Sequence, residues 1–312
     1  MSVLVIGGTG FIGSRAVKFL LEQGEQIVVM DLFPNLTRVE EIKDELTIVQ
    51  GSITSIETII ETIKKHQVSK IINTAYHLES ESEQYPHEAI KVNLLGTNNV
   101  FEAARIMGIK RVIWASSLAV YGDKKRANGI PQNEDAPCLP LTVYGAGKQF
   151  SEFMIHSYNN KYGMDIVGLR PSPVYGTGRS TGTTAWLSDF VDMPVRGEVA
   201  RIPPSSEQTL GWCYVDDAAA AFVAACQHEG KCPSEIYNIG AFGATVEEMM
   251  GIVSREVPGT RVEYGDRYIY YLDVADNSRI KRDIGFELKF DLEKGVKEHI
   301  SCALSRFGER DI

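Results

Sequence analysis

Tyr144-Gly145-Ala146-Gly147-Lys148 sets a phenol and an ammonium four residues apart. On a helix that spacing puts both on one face. A phenol has a reference pKa of about 10 and is a poor base near neutrality. A neighbouring ammonium, helped by the positive ring of an oxidised cofactor, would stabilise the phenolate and bring that value down. Tyr144 could then take a proton from an alcohol as hydride leaves the same carbon. Such pairs also occur by coincidence on exposed helices, so other residues have to join this one. Ser116 and Ser117 follow the apolar run 111–115. In parallel sheets, ligands lie beyond that end of a strand. A serine hydroxyl there could hydrogen-bond the reacting oxygen, or the pair could simply cap a turn.

The N-terminus offers a place for the cofactor. The apolar run 3–6 leads into Gly7-Gly8-Thr9-Gly10-Phe11-Ile12-Gly13 and then an amphipathic stretch. This reads as strand, glycine turn and helix. Glycines at 7, 10 and 13 allow close backbone approach to a pyrophosphate, and the helix N-terminus adds N–H donors and a positive dipole end. The second apolar run ends in Asp31. A carboxylate there can accept both ribose hydroxyls of an adenosine and repels a 2′-phosphate, so NAD is expected over NADP. Arg38 is near enough to leave some use of NADP open.

These residues need a scaffold. Short apolar runs at 3–6, 27–30, 47–49, 70–73, 111–115 and 166–169 alternate with helical stretches at 12–23, 55–65, about 84–107 and about 143–161. Alternation of this kind implies parallel pairing through right-handed crossovers. The expected fold is α/β: a doubly wound parallel sheet of the Rossmann type with a smaller C-terminal substrate-binding region. Residues 1–170 are read as the NAD-binding domain. The stretch 171–210 reads as loops, and 215–227 as an alanine-rich helix, so 211–230 is expected to pack back on the sheet. The remainder of 171–312 is expected to cover the substrate.

Composition narrows the function classes. The 312 residues are 44% hydrophobic and 23% charged, with a net charge of −9. An acidic chain of this kind argues against nonspecific binding to nucleic acid or anionic membranes. No run approaches the roughly 20 apolar residues of a membrane span. The first strand starts at residue 2, which leaves no room for a signal peptide, and a cytoplasmic protein is expected. Cysteines 138, 213, 226, 232 and 302 are scattered without zinc-ligand spacing; reduced thiols and no metal are expected.

Taken in order, GGTGFIG at 7–13, VMD at 29–31, NLLGTNNVFEAAR at 93–105, SSLAVYG at 116–122, YGAGK at 144–148, LRPSPVYG at 169–176 and YVDDAAAAF at 214–222 resemble the extended short-chain dehydrogenase/reductase family, the group of nucleotide-sugar epimerases and dehydratases. The resemblance implies roles. Tyr144 would be the acid/base, Lys148 would bind the nicotinamide ribose and tune Tyr144, and Ser117 would polarise the substrate oxygen. Gly7, Gly10, Phe11, Ile12, Gly13 and Asp31 would hold the dinucleotide, with Thr74 and Ala75 lining it and Ser52 and Ile53 near the adenine. Residues from Pro171 to Val174 would lie along the nicotinamide. Asn93 would touch the cofactor or only tie loops together. The helices near 84–107 and 143–161 resemble those that pair two subunits through a four-helix interface, which implies a homodimer.

Two departures bear on the substrate. Nucleotide-sugar members commonly carry Asn where this chain has Pro173, and Arg near the position of Thr209 to Trp212. A buried diphosphate without charged partners is expensive to desolvate. Arg179, Arg196, Arg201 and Arg267 are candidates to compensate. His77, Ser116, Tyr175, Arg179 and Trp212 are candidate substrate contacts. Trp186, Trp212, Tyr214 and Tyr175 could line a small, partly apolar pocket or simply pack in the core, while Tyr268, Tyr270 and Tyr271 alternate as in a strand and are read as packing. The expected function is NAD-dependent hydride transfer to or from a secondary alcohol or ketone of a small, non-nucleotide substrate. A nucleotide-sugar epimerase or dehydratase is the alternative, and a catalytically silent dinucleotide sensor is a third reading.

Overall fold

The computed structural model describes residues 2–240 and 242–308. Strand β1 (Ser2–Ile6) is buried throughout, as a continuous apolar run should be when both faces of a sheet are covered. The glycine turn leads into α1 (Phe11–Glu22), then β2 (Gln26–Asp31), β3 (Thr47–Gln50), α2 (Ile56–Lys65) and β4 (Val68–Asn73). Two short helices follow, α3 (Glu79–Gln84) and α4 (Pro86–Ala89). Helix α4 runs through a π-helical stretch (Ile90–Gly96) into α5 (Thr97–Ile106). The single helix expected at 84–107 therefore starts at Pro86, whose fixed φ suits a first turn, and carries a widened turn. Strand β5 (Arg111–Ala115), α6 (Val143–Tyr162) and β6 (Asp165–Pro171) complete the first half. Thr142 caps α6 by accepting from Gly145 N, and Gly163 ends it in the left-handed conformation.

Beyond β6 come β7 (Val174–Tyr175), α7 (Trp186–Val195), β8 (Val199–Ile202), β9 (Thr209–Tyr214) and α8 (Val215–Gln227). They are followed by β10 (Ile236–Ile239), β11 (Phe242–Thr245), α9 (Val246–Glu256), β12 (Arg261–Tyr264), α10 (Ser278–Ile284) and α11 (Leu292–Phe307). The main sheet has seven strands in the order β10-β6-β5-β4-β1-β2-β3, all parallel. Six were expected. The seventh, β10, pairs with β6 from Ile236 opposite Gly168 to Ile239 opposite Pro171. Four residues carry too little periodicity to mark a strand within a mixed tail.

Alternate β1 residues feed two cores. Val3 and Val5 pack with α1, α8 and the C-terminal elements, while Leu4 and Ile6 pack toward α2 and α5. Strand order reverses around β1, between β4 and β2, which opens a crevice at the strand ends. Register sets its contents: Ile6 lies opposite both Met30 and Asn73, so Gly7, Asp31 and Thr74 emerge on one edge. Two small sheets, β11-β9-β7 and β12-β8, are built from the C-terminal segments.

Candidate active site

A cavity of about 630 Å³ runs along this edge. At one end it is lined by Gly7, Gly10, Phe11, Ile12, Asp31, Ser52, Ile53, Thr74 and Ala75. Gly7 has φ +77°, and a Cβ there would fall 2.7 Å from Thr74 Oγ1 and 3.0 Å from Ala75 N. Only glycine lets the two loops approach so closely. Gly13 does not line the cavity. Any Cβ on it would strike Gly7 O, so its role is to seat α1 against the turn. Asp31 Oδ2 accepts from Thr9 N at 3.0 Å and from Thr9 Oγ1 at 2.6 Å, which holds the carboxylate beside the turn. Arg38 donates to Thr9 O at 3.2 Å and to Gly178 O at 2.8 Å, joining the turn to the loop after β7. A glycine cradle without side chains, a helix N-terminus and a carboxylate at the end of β2 fit a dinucleotide.

Ser117, Tyr144, Lys148, Pro171 and Val174 line the same cavity farther along. Ser117 Oγ accepts from Ala119 N at 3.1 Å. Burial pushes the Tyr144 phenol above its ordinary value; the Ser117 hydroxyl and the Arg179 charge pull the other way, and Glu79 adds to the rise. Lys148 is not among the groups that act on the phenol here. Lys148 is buried, its Nζ donates to Ala115 O at 2.5 Å and sits 3.3 Å from the centroid of the Tyr76 ring, and burial drives its own pKa well below the usual lysine value. Helical spacing does put Tyr144 and Lys148 on one face, but the lysine stem turns inward under β5.

Several expected contacts are placed elsewhere. Ser116 borders the cavity, yet its hydroxyl donates to Glu152 at 2.6 Å, and Glu152 also takes two bonds from Arg170. Asn93 lies outside the cavity, bonded to His77 N (2.7 Å), His77 O (3.1 Å) and Ser82 Oγ (3.1 Å); it ties loops together. His77 does line the cavity. Tyr175 and Trp212 do not: they are buried against each other and Phe190, and Trp212 Nε1 donates to Ala244 O at 3.0 Å. Trp186 and Tyr214 join the same aromatic packing.

Of the four candidate arginines, Arg179 lines the cavity and Arg196, Arg201 and Arg267 do not. Arg179 donates to Val174 O at 3.1 Å and to Thr184 Oγ1, while its Nε is buried without a partner. Unforeseen lining residues are Tyr76, Glu79, Thr183 and Tyr271. Tyr270 and Tyr271, expected as strand packing, lie in irregular chain and both donate to Glu79 Oε2, at 2.5 and 2.8 Å. No local pattern links residues so far apart in sequence.

Comparison with known proteins agrees with this geometry. The model of the NAD dependent epimerase/dehydratase family matches residues 3–240. A protein of Methanocaldococcus jannaschii named as a putative UDP-glucose 4-epimerase is 31% identical over 96% of this chain and 97% of its own length. Among solved structures, the UDP-glucose 4-epimerase of Thermus thermophilus in complex with NAD superimposes with a TM-score of 0.86 at 24% identity, covering 99% of this chain and 100% of that one. The L-threonine 3-dehydrogenase of Trypanosoma brucei superimposes with a TM-score of 0.88 at 21% identity, covering 99% of each chain.

Proposed function

The chain belongs to the NAD-dependent epimerase/dehydratase family, and from that premise we propose that it is an NAD-dependent dehydrogenase or reductase of a small secondary alcohol or ketone. The observation that carries this reading is the sharing of one cavity by the glycine cradle, Asp31, Ser117, Tyr144 and the segment from Pro171 to Val174. NAD, when bound, supplies the hydride acceptor and, once reduced, the hydride donor. Ser117 and Tyr144 meet the reacting oxygen: Ser117 orients it by hydrogen bonding, and Tyr144 takes or returns its proton. Lys148 binds the nicotinamide ribose from its place between Ala115 O and the Tyr76 ring. Asp31 favours NAD over NADP by excluding a 2′-phosphate. Residues 1–170 bind the cofactor, 211–230 packs back on that domain, and 171–312 mainly covers the substrate.

A nucleotide-sugar epimerase or dehydratase is the second reading, favoured by the relatives named as UDP-glucose 4-epimerases. Against it stand Pro173 in the cavity wall where an amide would serve a diphosphate, and Thr209 to Trp212, which carry no cation. Joint retention of Ser117, Tyr144 and Lys148 disfavours a silent sensor.

The deciding experiment is a panel of secondary alcohols, free sugars and nucleotide sugars assayed with NAD and with NADP. A dehydrogenase yields net NADH with one of the small alcohols. Turnover of a nucleotide sugar without net NADH establishes the epimerase instead. Tyr144→Phe should abolish turnover and keep NAD binding; unchanged turnover rejects the mechanism.

We also assign a homodimer. Ile90 and Leu95 on the α4–α5 run and Phe150 and Phe153 on α6 are exposed apolar side chains on the two elements that would form a four-helix interface. A monomer in sedimentation would reject it. Among the described residues no helix is long and apolar enough to cross a membrane, and we place the protein in the cytoplasm.

A further inference from the structure

Two adjacent serines follow β5, and only one of them is free for the reacting oxygen. Ser116 Oγ donates to Glu152 Oε1 at 2.6 Å. Ser117 Oγ accepts from Ala119 N at 3.1 Å, which leaves its own proton to donate into the cavity that it lines with Tyr144. Which serine faces the substrate is therefore decided from outside the cavity, by a carboxylate to which hydride chemistry gives no task.

Glu152 stands on the face of α6 that carries Tyr144 and Lys148, each four residues from the next. Two of these side chains grip consecutive residues at the end of β5. Lys148 Nζ donates to Ala115 O at 2.5 Å, and Glu152 accepts from Ser116. Ser117 is the next residue. Arg170, the residue before Pro171 in β6, holds the same carboxylate, with Nε on Oε1 at 2.7 Å and a terminal nitrogen on Oε2 at 2.7 Å. Its other terminal nitrogen donates to Tyr121 Oη at 2.6 Å. Tyr121 ends the short helical turn Leu118–Tyr121 that follows Ser117, and its hydroxyl donates to Asn238 Oδ1 of β10 at 2.9 Å. Ser116, Glu152, Arg170 and Tyr121 thus close a ring of bonds around the short segment that bears Ser117. The ring ties together β5, β6 and α6, whose ends carry Ser117, Pro171 and Tyr144.

The ring is enclosed. Ser116 is 2% exposed, and the side chains of Arg170 and Glu152 are 4% and 9% exposed. Taking two ions out of water costs about what their attraction returns, so a buried pair is a weak source of stability. A bidentate guanidinium–carboxylate pair does fix distance and direction. Side chains that must meet a reacting atom closely need such support from the residues behind them.

We propose that Glu152 and Arg170 are positioning residues for hydride transfer: by drawing Ser116 away and holding Tyr121, they turn the Ser117 hydroxyl toward Tyr144 and the reacting oxygen. This rests on the reading of Ser117 and Tyr144 as the pair that meets that oxygen, and it holds for a dehydrogenase and an epimerase alike.

The test reads the phenol itself, so it does not depend on turnover. Protein isotope-labelled at tyrosine Cζ and loaded with NAD is followed by carbon NMR, the Tyr144 signal being identified by its loss in Tyr144→Phe. Ser117→Ala removes the hydroxyl beside the phenol and should move that signal. Ser116→Ala, which leaves the ion pair intact, should move it in the same direction, and so should Glu152→Gln. Adding either change to Ser117→Ala should cause no further movement, because both act through Ser117. With an alcohol that reduces NAD, Ser116→Ala and Glu152→Gln should each lower kcat about tenfold or more while KM for NAD stays within about twofold. A Tyr144 signal unmoved by Ser117→Ala or by Ser116→Ala, or moved equally by Ser116→Ala with and without the Ser117 hydroxyl, overturns the proposal. Thermal melts establish that each variant is folded. If Glu152→Gln is not, because it strands the Arg170 charge, Ser116→Ala decides alone. Failure of the dehydrogenase reading shows separately, as wild-type protein that reduces no NAD with any alcohol while the Tyr144 signal still responds to Ser116→Ala.

Discussion

Lys148 Nζ lies 3.3 Å from the centroid of the Tyr76 ring and donates to Ala115 O at 2.5 Å. The Trp114 ring, at 4.6 Å, adds a second aromatic face. The site thus holds the lysine beside the end of β5 between π-faces, the Tyr144 ring among them at 5.4 Å, and one carbonyl. Tyr76 also meets the Tyr144 ring edge-on, with centroids 5.5 Å apart. It braces both residues of the Tyr–Lys pair at once.

Tyr76→Leu should therefore lower kcat by about tenfold, the equivalent of a cation–π contact of about 1–2 kcal/mol. Tyr76→Phe should be close to wild type, because the Tyr76 hydroxyl is buried without a partner and its removal leaves nothing unpaired. Steady-state kinetics on the two variants check this. Equal losses in both would show that the hydroxyl, not the ring, matters.

The Tyr144 phenol is held above its ordinary value by burial. Oxidation of an alcohol needs the phenolate, whose fraction grows about tenfold per pH unit below the pKa. Hence kcat/KM for oxidation should climb with pH across the neutral range and into the alkaline one. For ketone reduction, which needs the protonated phenol, it should fall only at alkaline pH. Profiles at saturating cofactor in both directions test the sign. A flat oxidation profile from about pH 6 to about pH 9 would remove Tyr144 as the base.

Asp31 is held by two hydrogen bonds from Thr9. Asp31→Ala removes the carboxylate and leaves Arg38 beside the turn, so NAD should bind about tenfold or more weakly and the gap to NADP should narrow. Fluorescence titrations with NADH and NADPH measure both. An unaltered preference would refute the assignment.

His299 Nε2 bonds Asp192 Oδ1 at 3.0 Å in a fully buried pair. Ser188 Oγ lies 3.0 Å from Asp192 Oδ2 and 2.9 Å from Gly176 O, which links the pair to the loop bearing Arg179. Burial lowers the His299 pKa, Asp192 opposes this, and Arg15 adds to the lowering. A histidine depressed in the folded state gives stability that is present above its unfolded value of about 6.5 and is lost as pH falls through the lower folded value. The melting temperature should drop as pH is lowered from about 7 to about 5, and His299→Gln should flatten that dependence. Identical slopes in the two proteins would exclude His299 as the source.

Much of the architecture was legible in local pattern. The glycine turn, the first six strands and the helices 12–23, 55–65 and 143–161 each follow from a short run of residues whose periodicity or conformational freedom is set by near neighbours. The register Ile6–Met30–Asn73 then carries Gly7, Asp31 and Thr74 to one edge, as alternation of strand and helix implied. The direction of the Lys148 side chain was not legible. Spacing along a helix fixes which face a residue shares, but the faces of Tyr76 and Trp114, contributed by other segments, decide where a long stem goes.

What the amino-acid order alone determined is the doubly wound fold and the place for a dinucleotide, because each depends on contacts within a few residues or on a repeat that recurs along the chain. Only the tertiary structure decided that Tyr175 and Trp212 are core, that β10 closes the sheet, and that Glu79, Arg179 and Tyr271 share a cavity with Tyr144. Those outcomes depend on which distant segments exclude water from one another, and burial of that kind leaves no periodic mark on the segments it joins.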